Sequence, residues 1–176
     1  PAAALGAMLA GVDAVLMGAG VPREIPRLLN ALAAASAVQF PVDVDGDEDA
    51  AFFVDLDPVR LLGTHAQGLK RPVFLAIVSA HVLAGYLARD EDIRPDGFVV
   101  ETSVAGGHNA PPRRPEIDER GDIVFGPRDE PDLAKISALG LPFWIAGAMG
   151  SPEQLRAAQA DGARGIQVGT VFALCS

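Results

Sequence analysis

The residues best suited to chemistry lie in one run, residues 97–113, Gly-Phe-Val-Val-Glu-Thr-Ser-Val-Ala-Gly-Gly-His-Asn-Ala-Pro-Pro-Arg. Phe98, Val99 and Val100, leading to Glu101, have the apolar, mostly β-branched character of a buried strand. The strand runs out into Gly106 and Gly107, where the backbone can pass close to a ligand. His108 follows at once, an imidazole able to give or take a proton near neutral pH, on a loop stiffened by Pro111 and Pro112. A strand ending in a glycine pair and a histidine is how an α/β protein presents a reactive group at the carboxyl edge of its sheet. On the same loop, Arg113 or Arg114 could bind an anionic substrate.

Two more strand ends carry glycine beside a small or polar residue, Gly147-Ala148-Met149 and Gln167-Val168-Gly169-Thr170. Gly147 and Gly169 give access to backbone N–H groups, and the Thr170 hydroxyl adds a donor. Loops of this kind after the last strands of a (β/α)8 barrel commonly hold a phosphate. Three such ends point to a phosphate-bearing cofactor.

The elements that must position these ends alternate along the chain. Residues 12–17 read as a buried strand closing on Gly18-Ala-Gly20, and Pro22 and Glu24 open a helix through about residue 35, with Ile25, Leu28, Leu29 and Leu32 on one face. Arg23 stands where a dinucleotide fingerprint needs its third glycine, which argues against a Rossmann site. Residues 38–57 break the rhythm and read as a hairpin insertion. Their acidic run does not fit a calcium loop: counted from Asp43, the sixth residue is Glu48 and the twelfth Val54. Further strands are expected at residues 73–78, 97–101, 141–146 and 165–168, with helices at 80–88, 133–139 and 152–160, the last opened by Ser151, Pro152 and Gln154 as a capping box. Residues 111–131 read as a long loop over the site, with one short strand signal at 122–125. Five buried strands with intervening helices imply an all-parallel, helix-covered sheet in one domain spanning residues 1–176.

Composition narrows the partners. Fourteen Lys and Arg oppose 23 Asp and Glu, a net charge of -9, so a nucleic-acid or membrane-surface partner is not expected. The single cysteine, Cys175, fits a reducing, cytoplasmic setting and reads as a small buried residue. The apolar stretches at 2–10 and 72–88 read as helix and strand-helix rather than as a signal peptide or a span. The chain starts inside helix-like sequence without a methionine and is expected to be a piece of a longer protein.

The run Val-Ala-Gly-Gly-His at 104–108, Pro-Phe-Trp-Ile-Ala-Gly-Ala at 142–148, Pro152-Glu153-Gln154-Leu155, Gly162-Ala163 and Gly-Ile-Gln-Val-Gly-Thr-Val-Phe at 165–172 together resemble the nitronate monooxygenases, also called 2-nitropropane dioxygenases. The resemblance implies a partial (β/α)8 TIM barrel, roughly the last five of eight strands, with residues 38–57 as its insertion. It implies an FMN cofactor contacted by Glu101, Gly106, Gly107, Gly147, Ala148, Gln167, Val168, Gly169 and Thr170, and His108 as the catalytic base. The activity implied is oxidation of an alkyl nitronate by O2 to a carbonyl compound and nitrite. Arg113, read from the loop itself, is the candidate substrate contact, and a homo-oligomer is left open. An NAD(P)H-dependent flavin enoyl-thioester reductase and a barrel binding a phosphorylated ligand without redox work are the alternatives. Three departures bear on chemistry. Asn109-Ala-Pro-Pro-Arg113 replaces a looser His-x-Gly pattern, which suggests a subgroup with a substrate other than a nitronate. Ala148 stands where the family usually has a second glycine, which fits only if no positive φ is needed there. Glu101 stands where a glutamine is frequent, and its carboxylate would disfavour an anionic reduced flavin.

Overall fold

The computed structural model describes residues 1–176 apart from 19, 47–50, 107–109, 113, 115, 174 and 176. Its elements are α1 (Ala2–Leu9), β1 (Ala14–Met17), α2 (Ile25–Ala33), β2 (Val38–Val42), β3 (Phe52–Leu56), α3 (Pro58–Leu62), a 3₁₀ turn (Gly63–Ala66), β4 (Val73–Val78), α4 (His81–Arg89), β5 (Gly97–Glu101), β6 (Glu116–Ile117), β7 (Ile123–Val124), α5 (Leu133–Ser137), β8 (Phe143–Ala146), α6 (Pro152–Ala160), β9 (Gly165–Gln167) and α7 (Thr170–Ala173).

Five strands form one sheet in the order β1-β4-β5-β8-β9, every neighbouring pair parallel. The order follows the sequence without a reversal. Because parallel crossovers are right-handed, such an order puts its helices on one face and leaves no switch point of the doubly wound kind. The sheet curls into a half-barrel.

Alternation along each strand divides two cores. Phe74, Ala76, Val78, Phe98, Val100, Phe143 and Ile145 point to the helices, where they meet Leu28, Leu29 and Leu32 of α2, Leu87 of α4 and Ile136 of α5. The opposite, concave face holds a smaller cluster, Leu75, Val99 and Ala146 packed with Ile77 and Trp144. Complete burial of Phe74 and Phe98 stabilises by about 1.5–3 kcal/mol each, so the helix-covered face carries most of the stability. Gly97 is required by this packing: a Cβ there would lie 2.7 Å from the Pro142 carbonyl oxygen and 2.9 Å from Leu75 Cδ2.

The amino ends of the strands are clamped on the side away from the glycine-bearing loops. Asp96 Oδ2 accepts from the Arg71 guanidinium at 2.6 Å and from Phe74 N at 2.7 Å, and Arg71 Nε donates to Asn30 Oδ1 at 2.7 Å. This ties α2, β4 and β5 together before each strand begins.

β2 and β3 pair antiparallel in a two-stranded sheet of their own. After it, Asp57 caps α3, its Oδ1 accepting from Arg60 N at 3.0 Å with Pro58 in the first turn, a helix that the sequence reading passes over. Four further expectations are corrected. The first strand is not buried: β1 stands at an edge of the sheet with Leu16 and Met17 exposed. The proline in the first turn of α2 is Pro26, not Pro22, which lies buried in the connection before it. Residues 111–131 are not one loop with a lone strand, since β6 and β7 pair into a short antiparallel hairpin closed by Asp118, whose Oδ1 accepts from Arg120 N and Asp122 N. A strand of two residues is too short for its periodicity to show. Cys175 is exposed rather than buried, its Sγ donating to the Val171 carbonyl at 3.2 Å. Among the described residues no helix is long and apolar enough to cross a membrane.

Candidate functional site

The site is built at the carboxyl end of the concave face. Register places Glu101 beside Ala146 and Ala146 beside Gln167, so the last inward-facing residues of β5, β8 and β9 form one row. Below it lies the row Ile77, Val99, Trp144 and Gly165. Gly165 makes room for the indole: a Cβ there would stand 3.1 Å from Trp144 Cδ1. Above the upper row the three strands release their chains into loops that enclose a pocket of about 340 Å³.

Of the residues expected to bind the cofactor, Glu101, Gly106, Gly147, Ala148, Gln167, Val168, Gly169 and Thr170 all line this pocket. Gly107, His108 and Arg113 lie outside the described residues. Val104, Ala105, Ala146, Met149, Gly150 and Val171 complete the wall, none of them expected from the sequence as a cofactor contact. Their signal is only adjacency to residues that were.

Close approach explains the glycines. Gly147 has φ +113, and a Cβ on it would overlap the Thr102 hydroxyl and sit 3.0 Å from Ala105 N. The loop after β8 therefore lies against the loop after β5. At Gly150 an added Cβ would be 2.5 Å from Val171 Cγ2, which brings the loop after β8 against α7. At Gly106 it would be 3.4 Å from Thr170 Oγ1. Gly169 is different, since no described residue lies within 4 Å of its would-be Cβ, and it lines the cavity.

Ala148 has φ +52, the left-handed conformation that a methyl disfavours by about 1–2 kcal/mol. The condition under which an alanine would fit freely here is not met. A contact invisible in the sequence holds it: Gln154 Nε2 donates to the Ala148 carbonyl oxygen. Gln154 thus does not complete the expected reciprocal box. Ser151 Oγ still caps α6, accepting from Gln154 N at 3.2 Å, while the Gln154 side chain turns to the pocket loop.

The wall is rich in unspent hydrogen-bonding groups. Among the described residues, the backbone N–H groups of Ala148, Met149, Gly150 and Gly169 donate to no protein acceptor. The buried Gln167 Oε1 likewise has no partner. A buried acceptor without a donor costs about 1–3 kcal/mol, which a bound ligand's O–H or N–H would recover. Free amides and a hydroxyl on one side, an orphan acceptor on the other, suit a ligand that carries both an oxyanion and donor groups.

Glu101 belongs to more than one cavity. It also borders a narrow gap of about 40 Å³ and an apolar cavity of about 410 Å³ formed with Gly18, Ile77, Val78 and Leu83. Its carboxylate therefore stands where these spaces meet. The other described histidines line none of these cavities: His65 Nδ1 is 3.3 Å from the Leu62 carbonyl, and the buried His81 Nδ1 has no partner among the described residues.

The class these features define is an α/β protein with a parallel half-barrel sheet and a pocket at its carboxyl edge. Comparison with protein-family models and with curated proteins finds no match to this chain.

Proposed function

We propose that the sheet is five strands of an eight-stranded (β/α)8 barrel and that the pocket between β5, β8 and β9 binds FMN in an oxidoreductase of the nitronate monooxygenase kind. The observation that supports it most is the meeting of eight expected cofactor residues, from three strand ends far apart in sequence, around one cavity. The residues fit the group. The free amides of the 148–150 loop and of Gly169, with the Thr170 hydroxyl, would hold the phosphate, and Gln167 Oε1 would accept from a ribityl hydroxyl. When bound, FMN would pass an electron taken from the nitronate on to O2, the nitronate being oxidised to a carbonyl compound and nitrite.

The chain's own residues do the rest. His108, an imidazole of the kind able to give or take a proton near neutral pH, would take an α-proton from a nitroalkane or orient the nitronate. Glu101, which lines the same pocket, would set the charge near the cofactor, and unless protonated or paired its carboxylate would disfavour an anionic reduced flavin. The apolar cavity behind Glu101, walled by Ile77, Val78 and Leu83, would exclude water from the substrate's alkyl group.

The test is the visible spectrum of the purified complete protein together with oxygen uptake on adding a nitronate. A flavin spectrum and uptake without NAD(P)H are expected. Turnover that needs NAD(P)H and an enoyl thioester would instead make it a reductase. A second reading, a barrel that holds a phosphorylated ligand without redox work, draws on the same free amides; a colourless protein with a phosphate ester bound would establish it.

A further inference from the structure

The segment between β5 and α5 forms a separate cavity of about 430 Å³, walled by Arg114, Glu116, Val124, Pro127, Arg128 and Asp129. Its frame is fixed by local bonds. β6 and β7 pair above it. The turn at 126–129 is closed twice, Asp129 N donating to the Gly126 carbonyl at 2.9 Å and Gly126 N donating to Asp129 Oδ2 at 2.8 Å. Ser103 Oγ donates to Glu130 Oε1, which fastens the end of the turn to the loop after β5. Arg128 is therefore carried on a closed turn.

Neither Arg114 nor Arg128 makes an ion pair or a side-chain hydrogen bond among the described residues, although Glu116 and Asp129 line the same space. Asp129 Oδ2 is committed to Gly126 N. Two guanidiniums left free at one cavity, in a chain of net charge -9, offer planar forks that match an oxyanion in two-point contact. Val124 and Pro127 give the space an apolar side. Asp129 also borders the narrow gap that Glu101 shares with the main pocket, so the cavities follow one another from the pocket to this loop.

We infer that Arg114 and Arg128 form an oxyanion subsite, taking the phosphate or carboxylate of a small molecule whose other end extends toward Glu101. The subsite stands without the flavin reading; its use in recognising that enzyme's substrate rests on it.

Calorimetric titration of the complete protein with inorganic phosphate, and separately with acetate, tests the subsite at constant ionic strength set by chloride. Saturable binding is expected, weakened about tenfold or more by Arg114→Gln and by Arg128→Gln, since each removes charge-assisted bonds. Arg128→Lys, which keeps the charge but not the fork, should fall between. Arg120→Gln, on the exposed hairpin turn, should bind as the parent does. Binding of phosphate alone assigns a phosphate ester, of acetate alone a carboxylate, and of both a general oxyanion. The inference is overturned by absence of saturable binding, by equal loss in Arg120→Gln, or by retention in both glutamine variants with loss in Gly169→Trp. A colourless protein that binds phosphate in the Arg128-dependent way keeps the subsite and removes the flavin reading.

Discussion

Glu101 and Gln167 stand in one row of the sheet with Ala146 between them, each the last inward-facing residue of its strand. A carboxylate and an unpartnered amide oxygen are thus presented about two strand spacings apart, roughly 10 Å, on the floor of one pocket. Replacing Gln167 with Leu removes the orphan acceptor. Urea denaturation should show unchanged or higher stability, by about 1 kcal/mol, while flavin affinity falls about tenfold. Loss of stability with affinity intact would mean that the amide serves the fold alone.

Gly147 and Gly169 separate two kinds of glycine requirement. Gly147→Ala forces a methyl against Thr102 and Ala105 at a positive φ, so a cost of roughly 3 kcal/mol or more is expected in thermal or urea unfolding. At Gly169 an added Cβ meets no described residue within 4 Å, so Gly169→Trp should cost less stability than Gly147→Ala while abolishing flavin binding.

Ala148→Gly should raise stability. Relief of the left-handed strain, about 1–2 kcal/mol, outweighs the extra unfolded-state freedom of glycine, about 0.4–1 kcal/mol, for a net gain of roughly 0.5–1 kcal/mol. A lower melting temperature in this variant would show that Gln154 and the pocket loop depend on the methyl.

His108→Ala in the complete protein should leave the flavin spectrum in place and cut turnover about 100-fold or more. Unchanged turnover removes the imidazole from the mechanism.

Asp132 caps α5, and its pKa lies below the usual carboxylate value because the Lys135 side chain, and then the Lys135 N–H, hydrogen-bond to it. A depressed folded pKa means that the contribution is complete above the unfolded value, about 3.9, and is lost as pH falls through the lowered one. Asp132→Ala should therefore be less stable than the parent at neutral pH, with the difference shrinking below about pH 4. A gap that persists undiminished to the acid limit would assign the effect to something other than the carboxylate charge.

Much of the frame was legible because its signals are local. The apolar run 73–78, the Ser151-Pro152 start of α6 and the 3.6-residue spacing of Ile25, Leu28, Leu29 and Leu32 each state their element within a few residues. The hairpin of β6 and β7 was not legible, since two-residue strands carry no period. Gln154 misled for a related reason. Its spacing from Ser151 matches a capping box, but which acceptor its amide reaches depends on where the loop after β8 lies.

By itself the sequence determined the longer strands and helices and which strand ends carry glycine, since hydrophobic period, caps and backbone freedom are properties of neighbours along the chain. Only the tertiary structure decided that β5, β8 and β9 lie side by side in a register that aligns Glu101 with Gln167. It also decided that Ala148 takes a left-handed turn under Gln154, and that Arg114 and Arg128 border one cavity. Those outcomes follow from packing between segments distant in sequence, where the side chain that wins a contact is chosen by the shape of the assembled whole.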